Sequence, residues 1–198
     1  LADRPEHIVP REPDEHPFGD GDLGFRMDVP DHLYNRGEIH NLCVARGTLT
    51  PEERFKINEH VIQTLRMLDR LPFPSELRCV PDWAGNHHER LDGNGYPRRL
   101  DSDRLSVPER VMAIADVFEA LTATDRPYMT PKTLSKALSI MRSMCDAGHL
   151  CPDLFELFVR SGTHSRYAEK HLRPEQIDAV DIAALLGDHA DGRPAAGA

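Results

Sequence analysis

The chemistry of this chain is concentrated in eleven residues, His87-His88-Glu89-Arg90-Leu91-Asp92-Gly93-Asn94-Gly95-Tyr96-Pro97. Imidazoles ligate metals and carry protons near neutral pH, and two in a row beside a glycine turn are rarely scaffolding. If the chain stays helical to about Glu89, successive side chains diverge by about 100°. The two rings would then suit two ions, or one ion and one substrate group, better than a single ion. Gly93 and Gly95 admit φ > 0 and close backbone approach, while Pro97 stops helix re-entry and holds the Tyr96 ring and hydroxyl in one direction. The plainer alternative is a glycine-capped helix end whose surface histidines rest on the helix dipole.

The elements that must position these groups supply two further candidates. Thr50-Pro51-Glu52-Glu53 is a capping box with proline at the first helical position. The apolar set Ile57, Val61, Thr64, Leu65 and Leu68 that follows puts His60 on the same inward face, where spacing alone reads as a core histidine bonded to a backbone carbonyl. Pro74 and Ser75 open another helix, bent at Pro81, with Leu77, Val80 and Ala84 on one side, and His87 and His88 continue that side three and four residues later. Ser106-Val107-Pro108-Glu109 is a second capping box. Its helix is apolar almost all round from Val111 to Leu121, which predicts a central, buried element. Asp116 in its middle is costly unless it meets a metal, an arginine or several donors, so the choice lies between a metal and a buried ion pair to Arg110 or Arg126.

Elsewhere the pattern is structural. Residues 1–28 hold prolines and acids but few apolar side chains, which predicts an irregular or linker segment, with His7 and His16 on its surface. Pro30 to Arg46, with Leu33, Ile39, Leu42 and Cys43, reads as a short helical stretch interrupted by Gly37. Thr130-Pro131 starts a helix with Leu134, Leu138, Met141 and Cys145 on one face, ended by Gly148, and shorter helices follow over 152–161 and 174–186. The tail 187–198 is expected to be disordered.

At 39% hydrophobic content, 198 residues suffice for one cored domain with tails. No apolar run reaches the roughly 18 residues of a membrane span, and no leader pattern is present, so a cytoplasmic location is expected. Cys43, Cys79, Cys145 and Cys151 form no C-x-x-C pair, which predicts reduced thiols. A formal charge of −9 argues against a protein that coats polymeric nucleic acid, yet a few local arginines can still hold a small anion. The start at Leu1 suggests a piece of a longer protein, with any sensor or membrane module upstream.

The run HHERLDGNGYP resembles the defining motif of the HD-GYP domain, a bacterial branch of the HD metal-dependent phosphohydrolases. The likeness continues in family order through Gly47-Thr48-Leu49-Thr50-Pro51-Glu52-Glu53 with His60, Arg110 to Leu121, and Asp125-Arg126-Pro127-Tyr128, covering roughly residues 29 to 160. It implies an all-α, HD-domain-like helical bundle over 29–186 that hydrolyses cyclic di-GMP with divalent metal, iron or manganese, as one or more ions. By that resemblance His60, His87, His88 and Asp116 are metal ligands, Glu119 is the catalytic acid near them, and Tyr96, Arg126 and Arg90 contact the nucleotide. A sensor module upstream and a homodimer fit the same picture.

The chain departs from the family in one place. Where the family carries a His-Asp pair followed by Gly-Lys, residues 20–28 read DGDLGFRMD, and Met129 stands where a lysine usually follows the Pro-Tyr. The aspartate of that pair bridges two metals in the family. Two readings therefore stand: a cyclic di-GMP phosphodiesterase with an altered metal site that borrows Asp20, Asp22 or Asp28, and a degenerate domain that binds the nucleotide or acts as a scaffold.

Overall fold

The computed structural model describes residues 1–12, 18, 23–45, 47–124 and 130–187. Among these the architecture is all-α, with eight α-helices and one two-stranded ribbon. The chain divides into two compact units, Leu1–Glu89 with Gly93–Asp101, and Arg90–Asp92 with Ser102–Ala198.

In the first unit β1 (Ile8–Pro10) pairs antiparallel with β2 (His32–Asn35), Val9 opposite Tyr34. The segment 1–28 is therefore not wholly irregular, and Leu33 lies in a strand rather than a helix. The stretch after it becomes helical only at α1 (Glu38–Leu42). Asp3 fixes its start by accepting from the backbone N–H groups of Ile39 and His40, at 2.9 and 3.2 Å. Helix α2 (Pro51–Asp69) begins as its capping box requires. Thr50 Oγ1 accepts from the Glu53 N–H, and Glu53 Oε2 accepts from the Thr50 N–H at 2.9 Å.

The buried side of α2 is made by Phe55, Val61, Ile62 and Leu65, and this corrects the expected inward stripe: Ile57 is 54% exposed, and His60 is exposed too. Ile57 and His60 each stand two positions, about 200° of rotation, from Phe55 and Ile62, so a core set by the phenylalanine turns both outward. After a 3-10 turn at Ser75–Leu77, α3 runs Val80–Gly85. Pro81 sits in its first turn, where a missing N–H costs nothing, instead of bending a longer helix. Gly85 lets α3 lie close on α2, since a Cβ there would fall inside the Leu65 side chain.

The second unit holds α4 (Val107–Thr122), α5 (Leu134–Asp146), α6 (Pro152–Arg160), α7 (Thr163–His171) and α8 (Ile182–Leu186). Ala113, Ile114 and Phe118 of α4 pack with Leu134, Leu138, Met141 and Cys145 of α5, and with Phe155 and Val159 of α6. The α5 stripe is thus core as its spacing predicts, although the helix starts at Leu134, three residues after Pro131. Helix α4 is one-sided rather than buried all round, for Val107, Val111 and Met112 are 59, 48 and 44% exposed. Residues 107, 111 and 115 share a face, and that face is open to solvent.

The pattern did not foresee α7. The helix expected over 174–186 is broken into a 3-10 turn at Pro174–Gln176 and α8. Side chains between them are committed to tertiary bonds: the Gln176 amide donates to the Thr122 and Lys132 carbonyls, and Asp178 accepts from Ser135 at the start of α5. Of the expected tail only Gly187 lies among the described residues, and His16 also lies outside them. No described helix is long and apolar enough to cross a membrane.

Candidate metal and nucleotide site

His60, on α2, meets His87 and His88, in the turn that follows α3. One ligand atom from each of the three rings lies within 4.8 Å of the others. The helix ends at Gly85, not Glu89, and Asn86 leaves helical geometry at φ −103° and ψ 9°. The two neighbouring rings are therefore not splayed as a continuing helix would require. Their centroids stand 4.1 Å apart, and His60 is 5.3 Å from His88. His60 reaches the cluster from the solvent side of α2, so exposure suits the ligand role better than the inward position expected for it.

Nitrogen assignment follows from the hydrogen bonds. Nδ1 of His60 lies 2.7 Å from the Ile57 carbonyl, and Nδ1 of His87 lies 2.6 Å from the Ala84 carbonyl. A carbonyl only accepts, so each Nδ1 carries the proton and each Nε2 keeps its lone pair, the arrangement that carbonyl-anchored metal ligands use. Two imidazoles on one ion bonded at about 2.1 Å stand at most about 4.2 Å apart. Closing a 4.8 Å separation then needs about 0.6 Å, within reach of a small ring rotation. The donor set fits one borderline divalent ion. Within the first unit the group consists of these three imidazoles.

Glu89, third in the His-His-Glu run, does different work. It is buried, and its carboxylate accepts from the backbone N–H of Arg98 at 2.6 Å and of Leu100 at 2.9 Å. Burial raises its pKa, while these backbone donors and the Arg98 charge pull it back down. The turn over 93–100 is further held by the Tyr96 N–H donating to the His88 carbonyl and by the Arg26 N–H donating to Pro97. The Arg98 guanidinium donates to Asp82 at 2.6 Å and to the Leu23 carbonyl at 2.7 Å. Gly93 takes φ +74° at the turn's entrance. The outcome is a Tyr96 ring stacked on His88, centroids 4.8 Å apart and planes 29° from parallel.

The other predicted residues divide between the units and the undescribed segments. Asp116 lies half-buried on α4 of the second unit rather than in a dry core, and Glu119, a turn later, is exposed. Arg90 belongs to that unit as well and is paired with Asp92 at 2.6 Å, which leaves its charge partly spent. Arg126 and Met129, like Asp20 and Asp22, lie outside the described residues. Asp28 is described, exposed and paired with Arg99.

A cavity of about 390 Å³ is lined by the candidates Tyr96 and Asp28 and by residues that the sequence did not single out. Arg54 and Asn58 wall it from α2, and Asn94 and Arg99 from the turn. Arg54 and Asn58 are spaced i, i+4 just ahead of His60, a periodicity visible in the sequence but hidden there by the stronger capping and apolar patterns.

The sequence profile of the HD domain family matches residues 19–154. The chain is similar to the 3'3'-cGAMP-specific phosphodiesterase 1 of Vibrio cholerae, 38% identical over 149 residues, which cover 71% of this chain and 34% of that protein. It is similar to a cyclic di-GMP phosphodiesterase of Thermotoga maritima, 36% identical over 140 residues, 70% of this chain and 34% of the relative. A cyclic di-GMP phosphodiesterase of Pseudomonas aeruginosa is also 36% identical over 140 residues, 71% of this chain and 30% of its own length. The chain thus spans about a third of the length of these relatives.

Proposed function

This chain belongs to the HD domain family, in its HD-GYP branch, and from that premise we propose that it is a metal-dependent phosphodiesterase of cyclic dinucleotides, cyclic di-GMP first among them. The observation that carries the proposal is the cluster of His60, His87 and His88, with two Nδ1 atoms anchored on carbonyls and the Tyr96 ring stacked against it. The relatives' names supply the substrate class.

When bound, a divalent ion, iron or manganese, lowers the pKa of a water and withdraws charge from phosphoryl oxygens. Nε2 of His60, Nε2 of His87 and one ring nitrogen of His88 would hold it. His88 and Tyr96 form a flat wall beside it, and the Tyr96 hydroxyl is suited to a phosphate oxygen. Asp116 as a further ligand, Glu119 as an acid, and Arg126 and Arg90 as phosphate contacts complete the assignment on the strength of the family resemblance.

One observation favours the second reading, a domain that binds the nucleotide without brisk turnover. Three neutral imidazoles bring no negative charge, and a second cation nearby would need a bridging anion to offset the repulsion between the two ions. The cluster as the first unit supplies it consists of the three imidazoles. Anaerobic reconstitution with Fe(II) or Mn(II), metal counting and a product assay for the linear dinucleotide decide between the readings, with His88→Ala as control. One tightly held ion and slow turnover lost in His88→Ala are the expected result. Brisk turnover with two or more ions would instead place a missing aspartate in the site, and no metal binding would refute the assignment of the cluster.

A further inference from the structure

We propose that the cavity between α2 and the 94–99 turn is the guanine subsite of this phosphodiesterase, and that Arg54 is the residue that selects guanine over adenine. The inference rests on the cyclic dinucleotide reading above and specifies the base that the site accepts.

The cavity has the makeup of a base pocket. Its volume of about 390 Å³ is at the lower end of the range for small-ligand sites, which suits part of a dinucleotide rather than the whole. Met27, Val29, Pro30 and Phe55 give it an apolar lining, and Tyr96 is shared with the histidine cluster through its stack on His88. A nucleotide whose phosphate lies at the histidines would therefore have a neighbouring slot for its base.

Polar groups at this slot are unequally engaged. Arg99 is held at φ +54°, a left-handed conformation costly for a residue with a Cβ, and its guanidinium is already paired with Asp28. Arg54 is exposed and its guanidinium donates to no partner among the described residues, nor does the half-buried Asn58 amide have one there. A free arginine fork matches guanine, which offers two acceptors, O6 and N7, on one edge. Adenine offers N7 beside an amino donor, which would face the guanidinium's own donors. The i, i+4 spacing of Arg54 and Asn58 lets both side chains address one planar ligand, with the amide free to donate or accept at the remaining edge.

The experiment is calorimetric titration of the full chain with cyclic di-GMP and with cyclic di-AMP, for wild type, Arg54→Ala and Arg54→Lys. Arg54 is exposed and outside the buried face of α2, so the variants should fold. The expected result is that Arg54→Ala weakens cyclic di-GMP about tenfold or more, as loss of a bidentate base contact does, and leaves cyclic di-AMP within about twofold. Arg54→Lys keeps the charge without the fork and should not restore the preference. Equal weakening of both ligands, rescued by lysine, would identify a phosphate contact and overturn the base assignment. Unchanged affinities in both variants would overturn it as well, with the phosphodiesterase reading left standing. A wild type that binds neither dinucleotide would refute the phosphodiesterase reading and, with it, this one.

Discussion

Replacing Glu89 tests the idea that one buried carboxylate sets the position of Tyr96. Its two backbone hydrogen bonds, at 2.6 and 2.9 Å, are charge-assisted, and such bonds are worth about 1.5–3 kcal/mol each, or about 3–6 kcal/mol together. Against that stands the cost of burying the charge, visible in the raised pKa of the group and roughly 1–3 kcal/mol for an incompletely compensated polar group. The midpoints of these ranges give a net loss of about 2.5 kcal/mol for Glu89→Ala, a shift of a little over about 1 M in the urea midpoint for a slope near 2 kcal/mol/M. Glu89→Gln keeps one acceptor oxygen but turns an NH2 toward the second backbone donor, and should lose about 1–3 kcal/mol. Amide exchange gives the local reading. The Arg98 and Leu100 N–H groups should be protected in the wild type, and at least one should exchange far faster in Glu89→Gln. Wild-type stability of Glu89→Ala, with both amides still protected, would show that the turn is held by its other contacts and that the reasoning fails.

Two other predictions follow from burial. His164 is buried, its Nδ1 has no hydrogen-bond partner among the described residues, and burial depresses its pKa. The unfolded chain therefore takes up the proton first, so the stability due to the neutral ring is intact above about pH 6.5 and is lost as pH falls below it toward the folded-state value. Urea midpoints between pH 7.5 and 5 should fall more steeply in the wild type than in His164→Leu, and parallel curves would refute the idea. Thiol labelling of the native chain should modify Cys43 and Cys79 quickly and spare Cys145 and Cys151, which are buried, with the Cys145 thiol pushed up to about 12. Four equally fast thiols would show that the α5 core opens readily.

What was legible in the sequence depended on whether local or distant groups decide. The Thr50 and Ser106 capping boxes are satisfied within four residues, and both helices start where the pattern puts them. The α5 stripe at Leu134, Leu138, Met141 and Cys145 was legible because every member is apolar and the helix has one buried side. The inward face of α2 was not. Ile57 and Phe55 are equally good apolar markers two residues apart, and only the packed unit chooses the phenylalanine. The break between Pro174 and Leu186 depends on Gln176 and Asp178 reaching carbonyls and a serine more than forty residues away, which no local period reports.

The His-His-Glu run shows why motif and role must be separated. By helical spacing its first two residues should diverge, and its third carries a carboxylate of the kind that ligates metals. The chain leaves the helix after Gly85, where a Cβ would fall inside Leu65, and the turn that follows brings both imidazoles together. The same turn buries Glu89 and gives it two backbone donors, so its carboxylate is occupied before any ion or substrate arrives. A negatively charged metal ligand, if the site is to hold a second ion, must then come from elsewhere in the chain. Asp116 and the aspartates ahead of Val29 are the residues to substitute in looking for it. Their separate effects on metal count, rather than on stability, would show whether any of them completes the centre proposed for the three histidines.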